Sequence, residues 1–232
     1  MDAPSAASHS WEMDGVFWKG ADEWGAMRDT RIDSLRGLGM LSVVTAHTVA
    51  PTWLWGVVSL EVVAVFYFVS GMVWNDAPLA VVARKRIRQL YLPFVAWNLA
   101  ALALTNVLTR LGLQARYLSL SGTASQAVAI VTLRAVEPLT GPLWFLAALL
   151  VTAVLFAALP KRVRVPGVLA CVAVGCLNRL PWPVGVNSAL VGVGVFYLGT
   201  QYRKLPDKWW CALLALVVAV LGKNTVSMTA NT

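Results

Sequence analysis

Seven apolar runs separated by short basic clusters occupy most of this 232-residue chain, and they leave it few ways to fold. The runs cover 38–55, 57–74, 92–108, 143–159, 165–177, 184–200 and 209–221. A helix crosses the hydrocarbon of a bilayer with about 20 apolar residues, or about 17 at the low end, and satisfies its own backbone polar groups while doing so. The fifth and seventh runs are short by that measure. Composition agrees with a lipid solvent: 58% of residues are hydrophobic and 13% charged, with a mean hydropathy of +0.67, well away from the balance of a soluble domain. The expected fold is all-α, a polytopic transmembrane helical bundle of about seven spans with its N-terminus in the cytoplasm.

Segment 126–136 is also apolar, but Thr132 and Arg134 interrupt it, so it reads as a helix that lies on the surface or re-enters rather than crossing. The basic residues test that count, because Lys and Arg near span ends gather on the cytoplasmic side. With the N-terminus inside, fourteen fall in the cytoplasm: Lys19, Arg28, Arg31, Arg36, Arg84, Lys85, Arg86, Arg88, Lys161, Arg162, Arg164, Arg203, Lys204 and Lys208. Five fall outside: Arg110, Arg116, Arg134, Arg179 and Lys223. Making 126–136 a true span would move the Lys161 cluster outside and spoil the bias. Prolines such as Pro51, Pro78, Pro93, Pro160 and Pro183 punctuate the run ends, where a helix interior cannot hold them.

Several function classes drop out. The net charge of +8 is distributed in these loop clusters without an interleaved aromatic reading surface, which argues against nucleic acid. Cys171, Cys176 and Cys211 have neither the number nor the spacing of a disulfide framework or a metal site and read as small buried hydrophobes. Residues 1–30 form a polar cytoplasmic tail; they are acidic rather than basic at the start and lack a signal peptide's apolar core. Residues 31–232 read as one membrane domain. Of the eleven Trp, those near run ends, Trp74 and Trp144 among them, read as interface anchors.

Candidate chemistry lies in the first hairpin. Arg36 and His47 are eleven residues apart, which on one helix gives a shared face and about 16 Å of axial separation. An ionisable group at membrane depth is expensive and more often faces a cavity or pathway than packing alone. Counting back from a turn near Trp53 puts His47 and Glu61 at similar depth, where the carboxylate could accept the imidazole N–H and raise its basicity as in a general-base pair. The alternative is that Glu61 sits at the watery rim. The same count sets Ser70 and Gly71 opposite Arg36, small residues that permit close helix or ligand approach. The dense run Arg84, Lys85, Arg86 and Arg88 follows; by charge it first reads as a topology signal, yet with Arg36 it would also suit a phosphorylated cytosolic ligand.

At these residues the sequence resembles the membrane acyltransferase type 3 family, which includes bacterial O-acetyltransferases that modify surface carbohydrates. The matching stretches are Arg31 to Gly37 with Asp33 and Arg36, followed by His47; Phe66 to Gly71; Arg86 to Phe94 with Tyr91 and Pro93; and Leu143 to Leu146. The resemblance runs from about Arg31 to Arg203. It implies that His47 is the catalytic histidine, that Arg36 accompanies it, and that the basic run contacts cytosolic acyl-CoA. The family's arginine pair before the proline has two residues between its members; here Gln89 takes the slot three after Arg86, which leaves Lys85 and Arg88 as the nearest equivalent. Members commonly have more spans, so the domain is expected to be incomplete at its C-terminal side.

The resulting expectation is an enzyme of the inner, cytoplasmic membrane, multi-pass, that moves an acyl group, expected to be acetyl, from acyl-CoA to a hydroxyl of a sugar or lipid-linked glycan. His47 and Glu61 are its catalytic candidates; Arg36, Ser70, Lys85, Arg86 and Arg88 are its candidates for holding the donor. Its partners are acyl-CoA, the glycan and the bilayer, with no nucleic acid and no metal. Two other readings stand beside it: a transporter-like protein with His47 and Glu61 as a proton relay, and an inactive shortened member acting as a scaffold. Fusion reporters or cysteine labelling should find positions near Lys85, Arg162 and Lys204 on the cytoplasmic side, and an extracellular signal at Arg162 would overturn the seven-span topology.

Overall fold

The structure, a computed structural model, describes residues 30–46, 63–113, 119–177, 180 and 183–202. Among them every regular element is helical. The α-helices are α1 (Thr30–Ala46), α2 (Val63–Met72), α3 (Leu79–Arg86), α4 (Leu92–Arg110), α5 (Leu120–Val131), α6 (Trp144–Ala158), α7 (Arg164–Cys176) and α8 (Val186–Tyr202). The expected all-α class holds. The seventh apolar run, 209–221, lies outside the described residues.

α3 and α4 form one helical rod, Leu79–Arg110, of 32 residues, and α6 with its leading turn forms a second, Pro138–Ala158, of 21 residues; both are long and apolar enough to cross a membrane. The first rod is about 48 Å long at 1.5 Å per residue, more than the ~30 Å of hydrocarbon, so part of it extends beyond the apolar layer. A π-helical turn, Ile87–Tyr91, joins its two halves. Pro93 explains that turn: it has no N–H to give the Gln89 carbonyl, and its ring crowds that carbonyl in regular α geometry. The helix widens instead, and the Leu92 N–H reaches back five residues to the Ile87 carbonyl.

The rod runs antiparallel to α6. Pro78, just before α3, lines the same cleft as Leu159 and Pro160, whereas Phe94 at the start of α4 packs with Leu143, Leu146 and Ala147. At the first of these ends, Asp76 between α2 and α3 pairs with Lys161, between α6 and α7, and with Arg164, the first residue of α7.

α8 is the centre. Every residue from Val186 to Phe196 is buried, as expected of a helix that is apolar all round. Its small residues set how closely other helices approach. A Cβ on Gly71 would meet the Phe196 carbonyl oxygen, and one on Gly199 would meet the Phe68 carbonyl oxygen, so α2 and α8 cross backbone to backbone. Gly192 makes room for the Tyr67 ring, whose Cζ would stand 2.7 Å from an added Cβ. The Tyr67 hydroxyl lies 3.4 Å from Ser188 Oγ. Thr152 of α6 donates to the Ala189 carbonyl at 2.9 Å. Aromatic contacts complete the packing: Phe66 stacks on Phe145 at 5.3 Å, and Phe156 meets Phe196 at 5.0 Å.

Some expectations change. Trp144 is no interface anchor: it is 2% exposed and sits in the core, against Gly185, whose φ of +72° turns the chain into α8. Trp74 joins the aromatic cluster with Phe156 and Phe196 at 5.4 and 5.3 Å. The segment expected at 126–136 is α5, which starts earlier because Ser119 Oγ accepts the Gly122 N–H and caps it, and ends at Val131 before a left-handed Leu133, φ 57°. Its 12 residues span about 18 Å, short of a crossing. Outside, Leu38, Leu41, Trp97 and Leu169 are each more than 60% exposed, an apolar surface of the kind a soluble monomer does not carry.

The crossing gives a paired test. Gly199→Ala forces a Cβ onto the Phe68 backbone and is expected to destabilise the protein in detergent by about 3 kcal/mol, the upper end for overpacking. Gly37→Ala, with nothing within 4 Å of the added Cβ, is expected to be neutral or to gain up to ~1 kcal/mol from helix propensity. Equal melting shifts for the two variants would remove the crossing from its central place.

Candidate active site

The expected donor-side residues converge on the first half of the bundle. Ser70, on α2, is 8% exposed and precedes the Gly71 crossing, so Gly71 serves helix approach. Gly39, one turn along α1 from Arg36, packs on Phe66, one turn along α2 from Ser70. Arg36 is half-buried, and its positive charge acts on Arg86 of α3.

The basic run divides by environment. Arg84, Lys85 and Arg88 are exposed, whereas Arg86 is half-buried. The sequence pattern favours Lys85 and Arg88 as the pair; in the folded chain Arg86 is the half-buried member of the run. The π turn begins directly after Arg86, and a π bulge alters the angular offset between residues on its two sides; such turns recur at functional sites. Tyr91 at its end donates to the Val131 carbonyl at 2.7 Å and ties the turn to α5. His47 and Glu61, the expected general-base pair, lie outside the described residues.

Two polar constellations escaped the sequence reading. The first lies between α4 and the turn before α6, with Asn98, Thr105 and Glu137 fully buried and Thr140 partly so. Asn98 Oδ1 accepts the Glu137 backbone N–H at 2.8 Å and the Thr140 hydroxyl at 2.7 Å, while its Nδ2 donates to the Phe94 carbonyl at 2.8 Å. Thr105 donates to Glu137 Oε1 at 2.9 Å. One signal was available: Glu137 is the only acidic residue between Asp76 and Asp207.

The second is Asp76. Its carboxylate accepts from Trp74 Nε1 at 2.9 Å and pairs with Lys161 Nζ and Arg164 Nη2, each at 3.1 Å. The Trp74 hydrogen bond first, and then Arg164 and Lys161, hold this carboxyl below its usual range, at about 2.

The acyltransferase 3 family model, described as an acyltransferase domain, matches residues 29–230. The chain belongs to this family. No curated protein and no solved structure matches it significantly. As a member of the family the chain is a membrane-associated acyltransferase, in keeping with its two long apolar helices. The match includes Arg36, Ser70 and the whole basic run.

Because the folded Asp76 carboxyl titrates below its unfolded value of 3.8, its contribution to stability is present above about pH 4 and lost as pH falls toward 2. The difference in melting temperature between wild type and Asp76→Asn in detergent should therefore shrink between pH 5 and pH 2.5. A constant difference across that interval would show that the carboxylate's charge does not hold the two loops together.

Proposed function

We propose that this acyltransferase transfers an acyl group, most simply acetyl, from cytosolic acyl-CoA to a hydroxyl of a sugar or lipid-linked glycan, from a multi-pass position of about seven spans in the inner membrane with its N-terminus inside. What supports the reading is the acyltransferase 3 match over residues 29–230, which takes in half-buried Arg36 and Arg86, exposed Lys85 and Arg88, and buried Ser70. The donor is a thioester on a carrier with several phosphates, and arginines recognise phosphate through charge-assisted, forked hydrogen bonds.

His47 supplies the chemistry. Its imidazole takes the proton as the acceptor oxygen attacks the thioester carbonyl; the new C–O bond forms, the C–S bond breaks, and the CoA thiolate leaves to recover a proton. Glu61 orients the imidazole and stabilises its charged form. Arg36 lies eleven residues before His47, which would be about 16 Å if one helix carried both, a spacing that suits a phosphate anchor at the mouth and a thioester deeper in the membrane.

The donor assignment is tested on purified protein in detergent. Arg86→Gln with Arg88→Gln should weaken acetyl-CoA binding by roughly 10- to 100-fold, the equivalent of one or more charge-assisted hydrogen bonds, while Arg84 and Lys85 preserve orientation. In the same preparation His47→Ala should keep donor affinity and lower turnover by ~100- to 10,000-fold. Unchanged affinity in the arginine variant would defeat the donor site, and near-wild-type turnover without His47 would reassign that residue to packing.

A further inference from the structure

The ends of four helices leave a cleft of about 350 Å³ outside the proposed donor cluster, lined by Trp74, Asp76, Pro78, Leu159, Lys161 and Arg164 among others. That volume is at the lower end of ligand sites, ~300–1,000 Å³, and far exceeds a bare phosphate ion. Its walls are of two kinds: the indole, proline and leucine surfaces are apolar, and the charged groups gather at one side. The cleft lies where α2 and α6 end and α3 and α7 begin, and the ends of membrane-spanning helices are where a protein meets lipid headgroups.

Charge selects the ligand. Asp76 faces both Lys161 and Arg164, so the three together carry one net positive charge. Lys161 is 74% exposed, and its ion pair with Asp76 engages one of its three ammonium donors. Arg164 directs Nη1 and Nη2 to Asp76, and its Nε is buried with no hydrogen-bond partner among the described residues. The Phe156 ring supports the guanidinium at 4.7 Å, so the cation is held in place and not free to swing into water.

We infer that this cleft binds the phosphodiester headgroup of an anionic phospholipid, with Lys161 and Arg164 facing the phosphate and the apolar walls receiving the start of an acyl chain. One negative charge neutralises the site. A zwitterionic lipid would bring an ammonium that the single carboxylate, already paired, cannot serve, and basic pockets between membrane helices commonly take anionic headgroups. The inference depends on the membrane location of the chain and not on the acyl-transfer assignment.

The test uses the full chain purified in neutral detergent, with melting temperature followed during titration by phosphatidylglycerol, phosphatidylcholine, inorganic phosphate or acetyl-CoA. Phosphatidylglycerol is expected to stabilise saturably, and phosphatidylcholine and phosphate are expected not to. Lys161→Gln should weaken the phosphatidylglycerol response about tenfold, while Arg162→Gln, which does not line the cleft, should leave it within about twofold. Equal responses to the two lipids, or an undiminished response in Lys161→Gln, would overturn the inference. Phosphate reproducing the effect would point to a soluble ligand, and competition by acetyl-CoA would make the cleft part of the donor site; either result also refutes the lipid assignment.

Discussion

The backbone contact of α2 with α8 is the constraint on which the other helices depend. Lipid removes most of the hydrophobic reason for helices to associate, so close van der Waals approach has to supply it, and small residues make such approach possible. Gly71 and Gly199 face one another with no side chain between them, and Gly192 receives the Tyr67 ring one helical stretch away. The two contacts fix both the distance and the rotation of α2 on α8. α6 then registers on the pair through Thr152, which bonds to the α8 backbone at Ala189, and α7 closes on α8 at Gly175, whose added Cβ would stand 2.9 Å from the Asn187 carbonyl oxygen.

From that frame the α3–α4 rod takes its own position. It is one continuous helix of 32 residues where the apolar run starts only at Leu92, and Pro93 would break it if the turn before stayed regular. The π turn solves the local backbone problem; Arg86, just before it, is half-buried, and Arg88, within it, is exposed. The run of positive charge has two compatible uses, since a cluster that orients a membrane protein during insertion is also available to a phosphorylated ligand afterwards.

Much of this was legible in the chain itself. Apolar run length gave α4, α6 and α8 to within a few residues, because helix length in lipid is set by bilayer thickness more than by neighbours. The family was legible as well, from Arg36, the Phe66 to Gly71 stretch and the basic run before Pro93. Rotation about the helix axis was not. Nothing in the order of residues states that Arg86, and not the better-spaced Lys85 or Arg88, is the half-buried member of the run. Trp144 misled for a related reason: an indole at the end of a run suits an interface, and only the chain's return at Gly185 buries it. Asp76 and Glu137 were passed over as loop acids, and their partners are contributed by segments distant in sequence.

Those two acids explain how α6 keeps its depth. Apolar helix surfaces in lipid grip one another sideways but define axial position weakly, whereas a buried hydrogen bond is satisfied at one register and broken at the next. At the start of α6, Asn98 and Thr105 of α4 hold the Glu137 to Thr140 turn through three bonds of 2.7 to 2.9 Å. At the other end, Asp76 holds Lys161 and Arg164 just beyond the helix. Sliding α6 by one turn, about 5.4 Å, would break both sets at once and strand a carboxylate in the core. Because α3 and α4 are one rod, fixing α4 against α6 also fixes the height of Arg86. The height of Arg86 is therefore set by polar contacts at the two far ends of α6 and not by any residue within the basic run.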